Sequence, residues 1–144
     1  MKNFEIAPNL HWLEIASPDT GQGALHLDLL RAWTGLRLRL NKGVVIHSGF
    51  RSLEYNRAVG GRPRSQHLIG RALDISCRGV DFASEDMRRL LLECGFTGIG
   101  LGMGITHLDT RDAPHYFWNY LPGGRTARDE KMFDLDSERM ADDS

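Results

Sequence analysis

From Ala24 to Leu40 the apolar residues Leu25, Leu29, Ala32, Trp33, Leu36 and Leu40 recur at steps of three and four. That period predicts an amphipathic helix with one face in a core. Asn41-Lys42-Gly43 ends it, with Gly43 as the left-handed stop. The β-branched run Val44-Val45-Ile46 predicts a short buried strand. Ser52 caps a short helix through Val59, closed by Gly60-Gly61, and a polar loop follows from Arg62 to Gln66. Arg71 to Ser76 alternates as a strand does: Ala72, Asp74 and Ser76 share one face, and Leu73 and Ile75 point into the core. Ser84 caps a helix to about Cys94, with Met87, Leu90, Leu91 and Cys94 on its inner face and Gly95 as its stop. Gly98 to Gly102 and Ile105 to Thr110 read as two strands joined by a Gly-rich turn. Residues 1–23 read as irregular, with turns at Pro8-Asn9 and Ser17-Pro18-Asp19. The order helix, strand, helix, strand, helix, strand, strand predicts an α+β fold: one small antiparallel or mixed sheet flanked by helices.

A chain of 144 residues is about one domain. Pro122-Gly123-Gly124 marks its end, which divides the chain into a domain at 1–124 and a tail at 125–144. The tail carries four basic and seven acidic residues and little apolar content, so a mobile acidic segment is expected. The net charge of -1 hides a local bias, because six arginines and two acids lie between Arg51 and Arg78. Two cysteines, Cys77 and Cys94, form no CxxC pair and read as reduced core thiols. No apolar run approaches the roughly 20 residues of a membrane span. Behind Met1-Lys2-Asn3 there is no apolar stretch of the kind a secretory signal needs. A cytoplasmic origin is therefore expected, and a monomer.

The chemistry concentrates in two segments. In Ser65-Gln66-His67-Leu68-Ile69-Gly70-Arg71-Ala72-Leu73-Asp74-Ile75, a carboxylate sits within an apolar strand. That is costly unless a cation or hydrogen-bond donors meet it. Gly70 permits a turn that folds His67 back over Asp74. In Ile105-Thr106-His107-Leu108-Asp109, alternation puts Ile105, His107 and Asp109 on one face. If the two strands are neighbours, His67, Asp74 and His107 converge. Two imidazoles and a carboxylate suit one zinc ion, with a fourth position left for water. A zinc so held brings that water's pKa towards neutrality and polarises a carbonyl. His11, His26 and His47 read as structural residues. No G-x-S-x-G elbow and no G-K-[ST] phosphate loop is present.

These segments resemble the zinc D-alanyl-D-alanine carboxypeptidase and L-alanyl-D-glutamate endopeptidase family, peptidases with the hedgehog-type fold. The resemblance runs through Ser48-Gly49-Phe50-Arg51-Ser52, Glu54-Tyr55-Asn56, Ala58-Val59-Gly60-Gly61, Ser65-Gln66-His67, Gly70-Arg71-Ala72-Leu73-Asp74-Ile75 and His107-Leu108-Asp109, followed by Trp118. It implies metal ligation by His67, Asp74 and His107, and a substrate carboxylate or carbonyl held by Arg51. It also implies a peptidoglycan stem peptide as substrate. Ser65 is a further candidate for hydrogen bonding near the site, or a turn residue.

Many relatives carry a Glu a few residues before the last His ligand, and Gly102 to Thr106 holds no acid. Asp109 is the available carboxylate, either as general base or as the partner that orients His107 or Arg51. His115 is a candidate acid or transition-state stabiliser, or a loop residue. The leading expectation is a wall peptidase, carboxypeptidase or endopeptidase, such as a phage or prophage lysis enzyme or a virion component. The alternative is a catalytically silent zinc-containing binding module of the same fold. Nucleic acid is not an expected partner, since no binding motif accompanies the arginines.

Overall fold

The computed structural model describes residues 3–112 and 115–119. The expected boundary at residue 124 and the acidic tail lie outside them. Along the chain come β1 (Glu5–Ala7), β2 (Leu10–His11), α1 (Trp12–Ile15), α2 (Leu27–Leu40), β3 (Val45–Ser48) and α3 (Leu53–Ala58). A 3-10 turn (Gln66–Ile69), β4 (Ala72–Ser76), α4 (Glu85–Cys94), β5 (Gly98–Leu101), β6 (Thr106–Asp109) and β7 (Tyr116–Asn119) complete it. β1 and β2 form a small ribbon, and the other five strands form one sheet in the order β3-β4-β6-β5-β7. Only the β5–β7 pair is parallel, so the sheet is mixed and the fold α+β. No described helix is long and apolar enough to cross a membrane.

One face of the sheet makes the core. Leu73 and Ile75 of β4 and Leu108 of β6 are fully buried there, with Ile99 of β5 and Phe117 of β7 beside them. Against them pack Leu29, Trp33 and Leu36 of α2 and Leu91 of α4. α2 begins at Leu27 because the His26 side chain accepts from the Asp28 N–H at 3.1 Å and caps it. It ends at Asn41, the residue that takes the left-handed conformation (φ 49°), so Gly43 is not the stop. Short polar side chains tolerate that conformation, and Asn41 comes first in the chain. Ser52, Ser84 and Gly95 act as caps where the pattern puts them.

Two further expectations are corrected. The Val44-Val45-Ile46 run leads into an edge strand rather than a buried one: β3 pairs with β4 alone, and Val45 is 56% exposed. Residues 1–23 are not wholly irregular, since they carry the ribbon and α1. These elements are too short to show a period; buried Leu10 and Ile15 and contacts such as Phe50 N–H to the Ile15 carbonyl (2.7 Å) fix them.

On the other face of the sheet β5 carries no side chains at Gly98 and Gly100, and those of neighbouring strands lie over it. Gly98 stands opposite Asp109, and Gly100 lies between His107 and Trp118. A Cβ on Gly100 would run into the Trp118 indole, and one on Gly98 into the Asp109 carboxylate. Gly100→Ala is therefore expected to cost about 1–3 kcal/mol, the usual penalty of overpacking. Chemical denaturation of the variant beside the parent checks this, and an unchanged midpoint would refute the close packing.

Candidate metal centre and its cleft

Three side chains meet on the open face from three different elements. Asp74 sits in the middle of β4, directly opposite His107 of β6 in the antiparallel register. His67 comes from the 3-10 turn just before β4. That turn starts where the Ser65 hydroxyl accepts from the His67 N–H (3.1 Å) and ends at Gly70 in the left-handed conformation (φ 71°). A side chain at Gly70 would also strike the Ala24 backbone. The turn reverses the chain so that the imidazole lies over the strand that follows it.

The ligating atoms face one another. Asp74 Oδ1 is 3.2 Å from His67 Nε2 and 2.9 Å from His107 Nδ1. All three donor atoms lie within 4.8 Å of one another. Ligands about 2.0–2.1 Å from a tetrahedral ion stand roughly 3.3 Å apart, so the set has the spacing an ion requires. Each imidazole is turned by its other nitrogen. His67 Nδ1 lies 2.6 Å from the Gly49 carbonyl, which can only accept, so Nδ1 carries the proton and Nε2 is left as the ligand. His107 Nε2 lies 2.8 Å from Asp109 Oδ2, which leaves Nδ1 for the ion.

Asp109 is fully buried behind His107. Arg111 wraps it, with Nε at 2.9 Å from Oδ1, Nη2 at 2.5 Å from Oδ2 and the backbone N–H at 3.1 Å from Oδ1. Arg51 takes the other oxygen of Asp74, Nη2 to Oδ2 at 3.1 Å. Arg51 Nε donates to the Ser48 hydroxyl (3.1 Å), and Nη1 donates to the buried Asn56 side-chain carbonyl (3.2 Å). Asn56 in turn donates to the Arg62 carbonyl at 2.8 Å.

Electrostatics follow from burial and these partners. Burial pushes His67 below its ordinary value against the pull of Asp74, which keeps a lone pair available. Burial would raise Asp74, but His67 and His107 together hold it well below the usual carboxylate range. Burial also opposes protonation of His107, yet Asp109 and Asp74 outweigh it and raise its value. Asp109 stays ionised despite complete burial, held well below the usual range by the Arg111 charge and hydrogen bonds and then by His107.

A cleft of about 580 Å³ opens over the three ligands, lined also by Arg51, Arg62, Gly100, Ile105 and Trp118. The Trp118 ring lies 5.2 Å from that of His107. Arg51 is thus at the centre, whereas Ser65 lies buried beneath it as the cap of the His67 turn. His115 is exposed before β7 and is not among the residues lining the cleft. Asp109 touches the centre only through His107. His26 and His47 make other bonds, to Arg71 and to Ser76. Cys77 and Cys94 are free thiols. Sequence reasoning passes over Arg111, although the two-residue step from Asp109 was the available signal. The Gly49 carbonyl has no signature at all, because every residue has one.

A family model described as peptidase M15 matches residues 9–109, which include all three ligand positions. No curated protein matches the chain. Removing the Arg111 charge would leave Asp109 buried beside one imidazole. Arg111→Met is expected to destabilise the fold by about 3–5 kcal/mol, the cost of a buried charge stripped of its partner. Urea unfolding measures it, and a loss below about 1 kcal/mol would show that the pair is not what holds Asp109.

Proposed function

The chain belongs to the peptidase M15 family and is a peptidase, and from that premise we propose that it is a zinc enzyme cutting amide bonds in peptidoglycan stem peptides. The observation that carries this reading is the His67, Asp74 and His107 constellation facing an open cleft with Arg51 at its side. Two imidazoles and one carboxylate are the donor set of a catalytic zinc site with an open position. A bound zinc supplies Lewis-acid polarisation of a carbonyl and a more acidic water. The family match stands against a catalytically silent module.

The remaining work belongs to the chain's own residues. Arg51 spends three of its five N–H groups on Ser48, Asn56 and Asp74. The other two are left for a substrate carboxylate or carbonyl, and a fixed planar fork suits that task. A stem peptide offers such groups at a terminal D-alanine or on D-glutamate. Asp109 acts as a positioning residue in this reading: it accepts the His107 Nε2 proton, fixes the tautomer, and keeps none of its oxygens toward the cleft. Trp118 and Ile105 form the apolar wall that shields the cleft. A wall substrate requires delivery beyond the membrane, and we read the protein as a phage or prophage lysis enzyme or virion component.

Digestion of purified wall material, with the fragments weighed by mass spectrometry, tests the reading. The zinc-loaded protein is expected to release amide-cleavage products and a chelator to stop their release. Intact walls after treatment with a zinc-replete protein would refute it. Asp109→Asn separates the two roles of that residue. A positioning role predicts zinc affinity lower by about 10- to 100-fold, with most turnover regained at saturating zinc. A general-base role predicts turnover that stays lost at full zinc occupancy.

A further inference from the structure

The cleft does not end at the metal centre. Following β4 from Asp74 to Ser76 and β6 back from His107 to Ile105, a second depression of about 460 Å³ opens beyond the strand ends. It shares Gly102 and Ile105 with the first. Its far wall is the 77–83 segment, anchored by buried Cys77 and Phe82, and its rim carries Val45, Arg78, Asp81 and Ala83. Two of its lining side chains are exposed and apolar, Val45 at 56% and Ile105 at 41%. A depression lined by exposed apolar groups suits an apolar stretch of ligand. At its other end the cleft is cationic, with Arg51 and Arg62.

We propose that this trough is the extended-chain subsite of the substrate, holding the peptide on the side of the scissile bond away from Arg51. The inference rests on the peptidase reading above and deepens it. An extended peptide advances about 3.3 Å per residue, as the strands beside it do. Two residues therefore carry a substrate from the ligands past Ser76, and a third reaches Arg78 and Asp81. Arg78 and Asp81 there offer one cationic and one anionic partner to polar groups of that residue. Asp81 Oδ1 accepts from the Ala83 N–H (3.0 Å), which orients its carboxylate at the rim. Binding energy gathered there acts at a distance from the reacting bond, so it appears as a preference for long substrates.

Two substrates test this: a five-residue stem peptide ending in D-alanyl-D-alanine, and N-acetyl-D-alanyl-D-alanine. The zinc-loaded protein is expected to show kcat/KM at least about 10-fold higher on the longer one. Ala83→Trp and Val45→Trp, which fill the trough from opposite sides, are expected to bring that ratio towards one and leave the short-substrate rate unchanged. A wild-type ratio near one, or a ratio preserved in both variants, overturns the proposal. If neither substrate is cut, the substrate assigned above falls, and the trough is judged by binding alone. Amide shifts within residues 76–83 on titration with the five-residue peptide then support it, and shifts absent from that segment overturn it.

Discussion

The structure turns on a carboxylate placed where a sheet would ordinarily carry an apolar residue. Asp74 lies between Leu73 and Ile75, both fully buried, and its own face is half enclosed by His67, His107 and Arg51. Such a group is tolerable only when both oxygens are met. Here they are divided: Oδ1 looks toward the two imidazoles and Oδ2 toward the guanidinium. The division turns one side of a single residue toward the candidate ion site and the other toward Arg51. The antiparallel register then dictates where His107 must stand, and the His67 turn closes the third corner.

Much of the surrounding chain serves to keep that arrangement open and stiff. Gly98 and Gly100 withhold side chains so that Asp109 and Trp118 can occupy the space. Behind His107 lies the buried Asp109–Arg111 pair, whose charges neutralise each other. A buried ion pair is a poor source of stability compared with apolar packing. Its presence here fits a demand for orientation, since a ligating imidazole needs a fixed acceptor on its far nitrogen.

The sequence was informative where one residue type has one physical use. The three-and-four spacing of α2, the serine caps of α3 and α4, the glycine stop at Gly95 and the alternation around Asp74 all translate directly into structure. The meeting of His67, Asp74 and His107 was legible in part for the same reason, because an acid amid apolar strand residues must have a partner. The edge position of β3 was not legible, since a β-branched run looks alike at an edge and at a centre. Nor was the true end of α2, where Asn41 and Gly43 compete for one conformation. The division of labour around Asp109 also stayed open. That Arg111 folds back over it is a matter of rotamers and not of spacing.

One pair of hydrogen bonds carries a consequence of its own. The His67 ring bonds to the Gly49 carbonyl, and the His67 carbonyl receives the Arg51 N–H at 3.1 Å. The ligand-bearing turn and the loop presenting the guanidinium are thereby stitched together at both ends of one residue. A shift in either loop is felt by the other. On the proposed reading, any effect of a bound ion on affinity for an anionic group at Arg51 is returned by the same factor. A lineage that alters either loop thereby reaches both sites through one residue.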